Sequence, residues 1–167
     1  MSCAKKPVFK KHIKYNLIIL LLLLFQSFTA SSQITVYPVQ DFNFGTFFQG
    51  SAGGTIQVST TGTRSATGDI ILLNTGTAPA QAIFDIEAPF GSNISIMNGP
   101  DVILTGSNGG SITLSLEETD PISPFTTIVT TPERTRLQLA GTLIVGDGTA
   151  SPAGNYHGTF SITVNQE

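Results

Sequence analysis

The chain has 167 residues, a formal net charge of −3, no tryptophan and a single cysteine, Cys3. One cysteine excludes an internal disulfide, so any domain here must be held by its core. All five lysines (Lys5, Lys6, Lys10, Lys11 and Lys14) precede residue 33, and beyond it three arginines face eleven acids, a net charge of −8. Phosphate backbones and anionic lipid surfaces are gripped by Lys and Arg, so this composition argues against a nucleic-acid partner and against membrane contact by the acidic part.

The first 32 residues read as a secretory signal peptide. The lysines form a basic leader, Leu17 to Phe25 is an unbroken apolar run, and Thr29, Ala30, Ser31 and Ser32 are small. Nine apolar residues are too few for a bilayer core that needs about 20. Ala30 and Ser32 fit a cleavage site that would leave Gln33 as the new N-terminus; an uncleaved anchor is the alternative. Cys3 precedes the apolar run, where it cannot serve as a lipid attachment site. Residues 33–167 then form one domain, long enough to bury roughly two thirds of its unfolded surface.

Beyond residue 33 the period is two. "ITVYPV", "FNFGTFF", "GTIQVST", "DIILLN", "QAIFDIE", "SNISIM", "DVILT", "GSITLSL", "TTIVTT", "LQLAGTLIV" and "YHGTFSITV" follow one another closely. They are rich in Ile, Val, Phe and Thr, and are separated by "STTGT", "NTGTAPA", "TGSNGG" and "GDGTASPAG". Short alternating runs with Gly, Asn and Pro between them predict an all-β fold, an antiparallel sandwich with one wet face per strand. In "DFNFGTFF" the row Phe42, Phe44, Thr46 and Phe48 is expected inside, with Asn43, Gly45 and Phe47 outside. In "AIFDIE" the inward residues are Phe84 and Ile86. Pro38 cannot donate to a ladder, which makes "ITVYPV" an edge. At the C-terminal end, Tyr156, Gly158, Phe160, Ile162 and Val164 share the inner side, and His157, Thr159, Ser161, Thr163 and Asn165 the outer. This closing strand is expected to complete the domain's own sandwich by pairing with an early strand such as the one through Phe42 and Phe44. Donation of a strand to a neighbouring copy is the alternative.

Two motifs carry a resemblance. Asp41, Phe42, Phe44 and Gly45 near the start, and Gly154, Tyr156, Gly158, Phe160, Ile162 and Val164 at the close, resemble the opening and closing patterns of the bacterial secreted domain of unknown function 4402. "LAGTLIVG" lies between them. The closing strand is also similar to the last strand of fimbrial and spore-coat-U-like domains. The resemblance implies an exported Ig-like or pilin-like sandwich in a Gram-negative bacterium, located in the periplasm, on the outer surface or outside the cell. It carries no catalytic residue. Unlike typical pilins of the chaperone-usher kind, this chain has no disulfide.

No constellation for catalysis, cofactor or metal emerges, and the chain is not read as an enzyme. His157 is the only histidine after residue 33, and a nucleophile needs a base and an orienting group beside it. Glu117, Glu118 and Asp120 are hard oxygen ligands of the type Ca²⁺ takes, but they lack the spacing of a calcium loop; a solvated loop is the simpler account. Asn93 opens an Asn-Ile-Ser acceptor pattern, read as accidental for a bacterial export. The expected function is a non-catalytic structural or interaction domain of the bacterial cell surface, fimbria-like, with partners that are copies of itself or other surface proteins engaged through edge strands. The alternative is a carbohydrate-binding or adhesin module.

Overall fold

The computed structural model describes residues 33–167, so the signal-peptide reading of residues 1–32 lies outside the described residues. Every strand pairing is antiparallel, and no helix occurs among the described residues. Among the described residues eleven strands run β1 (Thr35–Gln40), β2 (Thr46–Val58), β3 (Arg64–Leu73), β4 (Ala82–Glu87), β5 (Asn93–Asn98), β6 (Val102–Gly106), β7 (Ser111–Asp120), β8 (Phe125–Thr126), β9 (Thr135–Val145), β10 (Tyr156–His157) and β11 (Ile162–Gln166). The all-β antiparallel sandwich expected from the two-residue period is what forms.

The large sheet is organised by β9. One edge of β9 pairs with β7; the other is shared, its first half pairing with β4 and its second half with β2. The sheet continues from β4 to β1 and from β7 through β6 to β10. Its inner side carries register-matched apolar rows, such as Ala66, Ile56, Leu143, Leu114 and Val102 across β3, β2, β9, β7 and β6. The small sheet, in the order β11-β5-β8, lies over the other half.

Two core clusters result. The first is built from Phe44, Ile56, Val58, Leu104, Ile112, Leu114, Leu143 and Val145. The second gathers Ile86, Ala88, Ile94 and Leu137, with Phe84, Ile96, Ile162 and Val164 against it. Fully burying each such Ile or Leu contributes about 1.5–3 kcal/mol, and these clusters replace the disulfide the chain lacks.

Pro38 stands on β1, which pairs only with β4 and carries a register shift beside the proline, as expected of an edge. Phe84 and Ile86 point inward as the alternation required. Four expectations need correction, the last of them, at Glu117, Glu118 and Asp120, taken up with the candidate surface. The stretch 126–131 is not a strand: only Phe125–Thr126 pairs with β5, and Ile128 is 79% exposed. Thr127 is still held beside β5, its buried hydroxyl donating to the Pro89 carbonyl and its backbone N–H to the Ser92 carbonyl, and the chain leaves the sheet after it.

The second correction concerns the closing strand. It does not pair with the segment through Phe42 and Phe44, whose backbone is diverted into a turn and a single bridge between Asn43 and Ala80. Instead Tyr156 and His157 pair with β6, and Ile162–Gln166 with β5. Between them the chain crosses from one sheet to the other. Gly158 passes so close to β6 that a Cβ would come within 2.5 Å of Leu104 Cδ2. Phe160 sits at the crossing, its ring centroid 5.2 Å from that of Phe42 and 6.1 Å from that of Phe84. The two-sided alternation holds: Tyr156, Phe160, Ile162 and Val164 are half-buried, and His157, Thr159, Ser161, Thr163 and Asn165 are exposed. The terminal segment thus closes its own domain, but by a different pairing.

The third correction, at Phe47 and Phe48, belongs to the surface described below.

Truncation of Phe160 should therefore remove contacts from both clusters. Phe160→Ala is expected to cost about 3 kcal/mol through lost transfer energy and a cavity, and Thr159→Ala on the wet face less than about 0.5 kcal/mol; urea denaturation midpoints of the two variants provide the comparison. Tyr156 supplies a pH test. Its hydroxyl donates to the Pro152 carbonyl, and burial pushes the phenol pKa above its ordinary value. A raised folded-state pKa means that the associated stability is fully present below about pH 10 and is lost as pH rises through the folded value. Melting curves above pH 9 should fall more steeply for the native chain than for Tyr156→Phe.

Candidate interaction surface

The residues singled out for chemistry do not converge. His157 is exposed on β10 opposite Thr105. Among the described residues, no three of His, Cys, Asp or Glu gather as a set that could hold a metal ion. Glu117, Glu118 and Asp120 belong not to a loop but to the end of β7, where a register shift between Leu116 and Thr119 interrupts the pairing with β9. The Glu117 carboxylate accepts from Gln57 Nε2 at 2.8 Å and from the Thr142 hydroxyl, which ties β7 to β2 and β9. Beside it a shallow cleft of about 210 Å³ is lined by Ile96, Asn98, Glu118 and Ile122, among others. Asn93 Nδ2 donates to Glu167 at 3.1 Å. Two further acids of β4 are paired with arginines: Asp85 with Arg136 of β9 at 3.2 Å, and Glu87 with Arg134, the residue before β9, at 3.3 Å, the Arg134 guanidinium lying 3.6 Å over the Tyr37 ring. These are exposed or half-exposed pairs worth little individually.

The third arginine behaves differently. Arg64 opens β3, opposite Val58. Its Nη1 donates to the Phe44 carbonyl at 2.8 Å and to the Thr46 carbonyl at 3.1 Å, and its Nη2 to the Leu73 carbonyl at 2.9 Å. Leu73 ends the same strand. Ten residues of straight strand span about 30 Å, far beyond the reach of an arginine. The β2–β3 ribbon must therefore double back on itself.

The bend lies where residues 50–53 of β2 face only Asp69 of β3, next to Gly68 at φ +73°. It divides the ribbon into a base, Gly54–Val58 with Arg64–Gly68, and an arm, Thr46–Gln49 with Ile70–Leu73. Phe47, Ile70 and Leu72 turn inward and cover the first core cluster.

The entry to the arm explains the correction at Phe47 and Phe48. Gly45 takes φ +68°, its N–H held by the Asn43 side chain at 2.7 Å, and a Cβ there would meet Arg64 Nη1 at 2.4 Å. That left-handed residue, which glycine adopts without strain, breaks the alternation between Phe44 and Thr46. Phe44 stays buried, Phe47 becomes the inward residue, and Phe48 is 60% exposed.

The outer face of the arm is consequently apolar. Phe48 stands directly opposite Ile71, which is 58% exposed, and Leu73 is partly exposed opposite Thr46. β3 pairs with β2 only, so its far edge has no strand neighbour among the described residues. From Ser65 to Phe84 the sole charged residue is Asp69. The sequence signal for this surface, "DIILLN", was legible as a strand; its unpaired edge was not.

Comparison with known proteins places these features in one family. A family model described as "Domain of unknown function (DUF4402)" matches residues 34–166. The chain belongs to this family. The match takes in all eleven strands, the Arg64 clamp and the arm. No curated protein matches the chain, and no solved structure does.

The clamp predicts a specific weakness. Arg64→Met keeps the aliphatic stem but strands three carbonyls. Hydrogen bonds to charged groups contribute about 1.5–3 kcal/mol, so a loss of about 2 kcal/mol is expected in chemical denaturation. Arg136→Met on the exposed pair should lose less than about 1 kcal/mol.

Proposed function

We propose that this family member is an exported, non-catalytic interaction domain of the Gram-negative cell surface, joining other surface components through the edge of β3. The observation that carries the reading is the arm: an unpaired strand edge beside an exposed Phe48, Ile71 and Leu73, on a sandwich whose described residues together carry a net charge of −8. Soluble proteins usually blunt such edges with charge, proline or a bulge, because unpaired N–H and C=O groups recruit another strand. An edge left apolar supports a role in strand-to-strand contact. The secretory features of residues 1–32 support export.

The test combines location with contact. Cells producing the full chain are fractionated, and intact cells are treated with a membrane-impermeant cross-linker. The protein is expected in the periplasmic or surface fraction, lacking residues 1–32 by intact mass, and cross-linked to another polypeptide. A protein that stays in the cytoplasm, or one found outside as a free monomer that binds a defined glycan, would replace this reading.

A further inference from the structure

We infer that the partner of the β3 edge is a second copy of this chain, paired arm to arm in antiparallel fashion with Ile71 on the two-fold axis. This deepens the proposed interaction role and rests on β3 being the interacting edge.

Three observations select a second copy. The first is the contrast among the outer strands. β1 is interrupted by Pro38, β8 and β10 are two residues each, and β11 presents Thr163 and Asn165 outward. Along Ile70–Leu73 there is no proline, no lysine and no inward-pointing charge. The arm's other strand, Thr46–Gln49, also has β3 as its sole strand neighbour among the described residues, but Thr46 and Gln49 flank its two phenylalanines, whereas Ile70–Leu73 is apolar at all four positions.

The second is charge. A domain with a net charge of −8 repels its own copy over most of its surface. The arm and the chain that follows it offer the approach with the least repulsion, since Asp69 is the sole charge between Ser65 and Phe84.

The third is self-complementarity. A two-fold contact presents the same patch from both partners. With Ile71 opposite the second copy's Ile71, Ile70 falls opposite Leu72 on the inner face, and the outer face reads Phe48, Ile71, Ile71, Phe48 across four strands. The two Asp69 residues then stand four positions apart along the ladder, about 13 Å, beyond the roughly 8 Å screening length at physiological salt. Each Asp69 also has a local donor, the Ala52 N–H at 3.4 Å. Cross-strand apolar pairs of this kind stabilise an antiparallel ladder, and like charges directly opposite destabilise it.

The experiment uses the protein purified from cells expressing the full chain. Sedimentation velocity over a concentration series is expected to show a monomer–dimer equilibrium. Ile71→Lys places two ammonium groups on the axis and should weaken the dimer at least tenfold. Because Ile71 is exposed, its melting temperature in dilute solution should match that of the unmodified protein, and this separates loss of pairing from loss of fold. In a Cys3→Ser background, Ile71→Cys should form a disulfide-linked dimer under mild oxidation, and Ser65→Cys, at the far end of β3, should not. A protein monomeric at every concentration, a dimer indifferent to Ile71→Lys, or equal cross-linking at Ser65 and Ile71 would overturn the inference. A monomer in solution that is still cross-linked on cells to a different polypeptide would overturn the second copy as partner and leave the interaction role standing. A cytoplasmic location would remove the surface role without bearing on the dimer.

Discussion

The fold-back of the β2–β3 ribbon is the constraint on which the rest of the structure depends, and the Arg64 guanidinium holds it shut. From the start of β3, its planar fork reaches three backbone carbonyls at the opposite end of the ribbon, where Thr46 and Leu73 stand across from each other. Lysine, a compact point charge, could not bridge them with the same fixed geometry. Gly45 leaves the room that the fork occupies. With the arm closed, Phe47, Ile70 and Leu72 cover the first cluster. With it open, apolar side chains on β2, β9 and β7 would meet water, and each would forfeit its share of burial energy.

Closing the arm has a geometric consequence for function. The same alternation that turns Phe47, Ile70 and Leu72 inward must turn Phe48 and Ile71 outward. A two-stranded arm folded over a core leaves both of its outer edges without a strand neighbour, β3 along Ile70–Leu73 and β2 along Thr46–Gln49, and of the two only β3 presents an unbroken apolar run. The apolar outer face and the unpaired ladder are thus products of one event, and the clamp that stabilises the domain also holds the surface on which the proposed interaction depends.

The terminal segment supplies the other half of the closure. Without a disulfide, residues far apart in sequence are joined by packing alone. Phe160 contacts Phe42 near the start of the chain and Phe84 in β4, and so links the first cluster to the second. Glu117 of β7 plays a comparable role on the outer side, where Gln57 and Thr142 satisfy its carboxylate. Acids in this domain mostly cross-brace strands or meet solvent, and the arm is free of them, Asp69 lying in the bend before it.

Sequence alone determined what local chemistry can determine. The two-residue period set the all-β class, the inward row from Tyr156 to Val164, the faces of "AIFDIE" and the edge position of β1 through Pro38. The motifs around Asp41–Gly45 and Gly154–Val164 were enough to suggest the family. What only the tertiary structure decided is pairing and closure. The partner of β11 proved to be β5, because the backbone near Phe42 is consumed in a turn. Phe47 and Phe48 exchanged sides, because a single left-handed glycine shifts the phase of every residue after it. The candidate surface was half legible: "DIILLN" could be read as a strand, but an edge is defined by the absence of a neighbour. Alternation is a property of adjacent residues, written into each stretch of chain. Which strand lies beside which depends on how residues tens of positions apart satisfy their backbone groups and fill one core, and on where an arginine such as Arg64 finds its carbonyls.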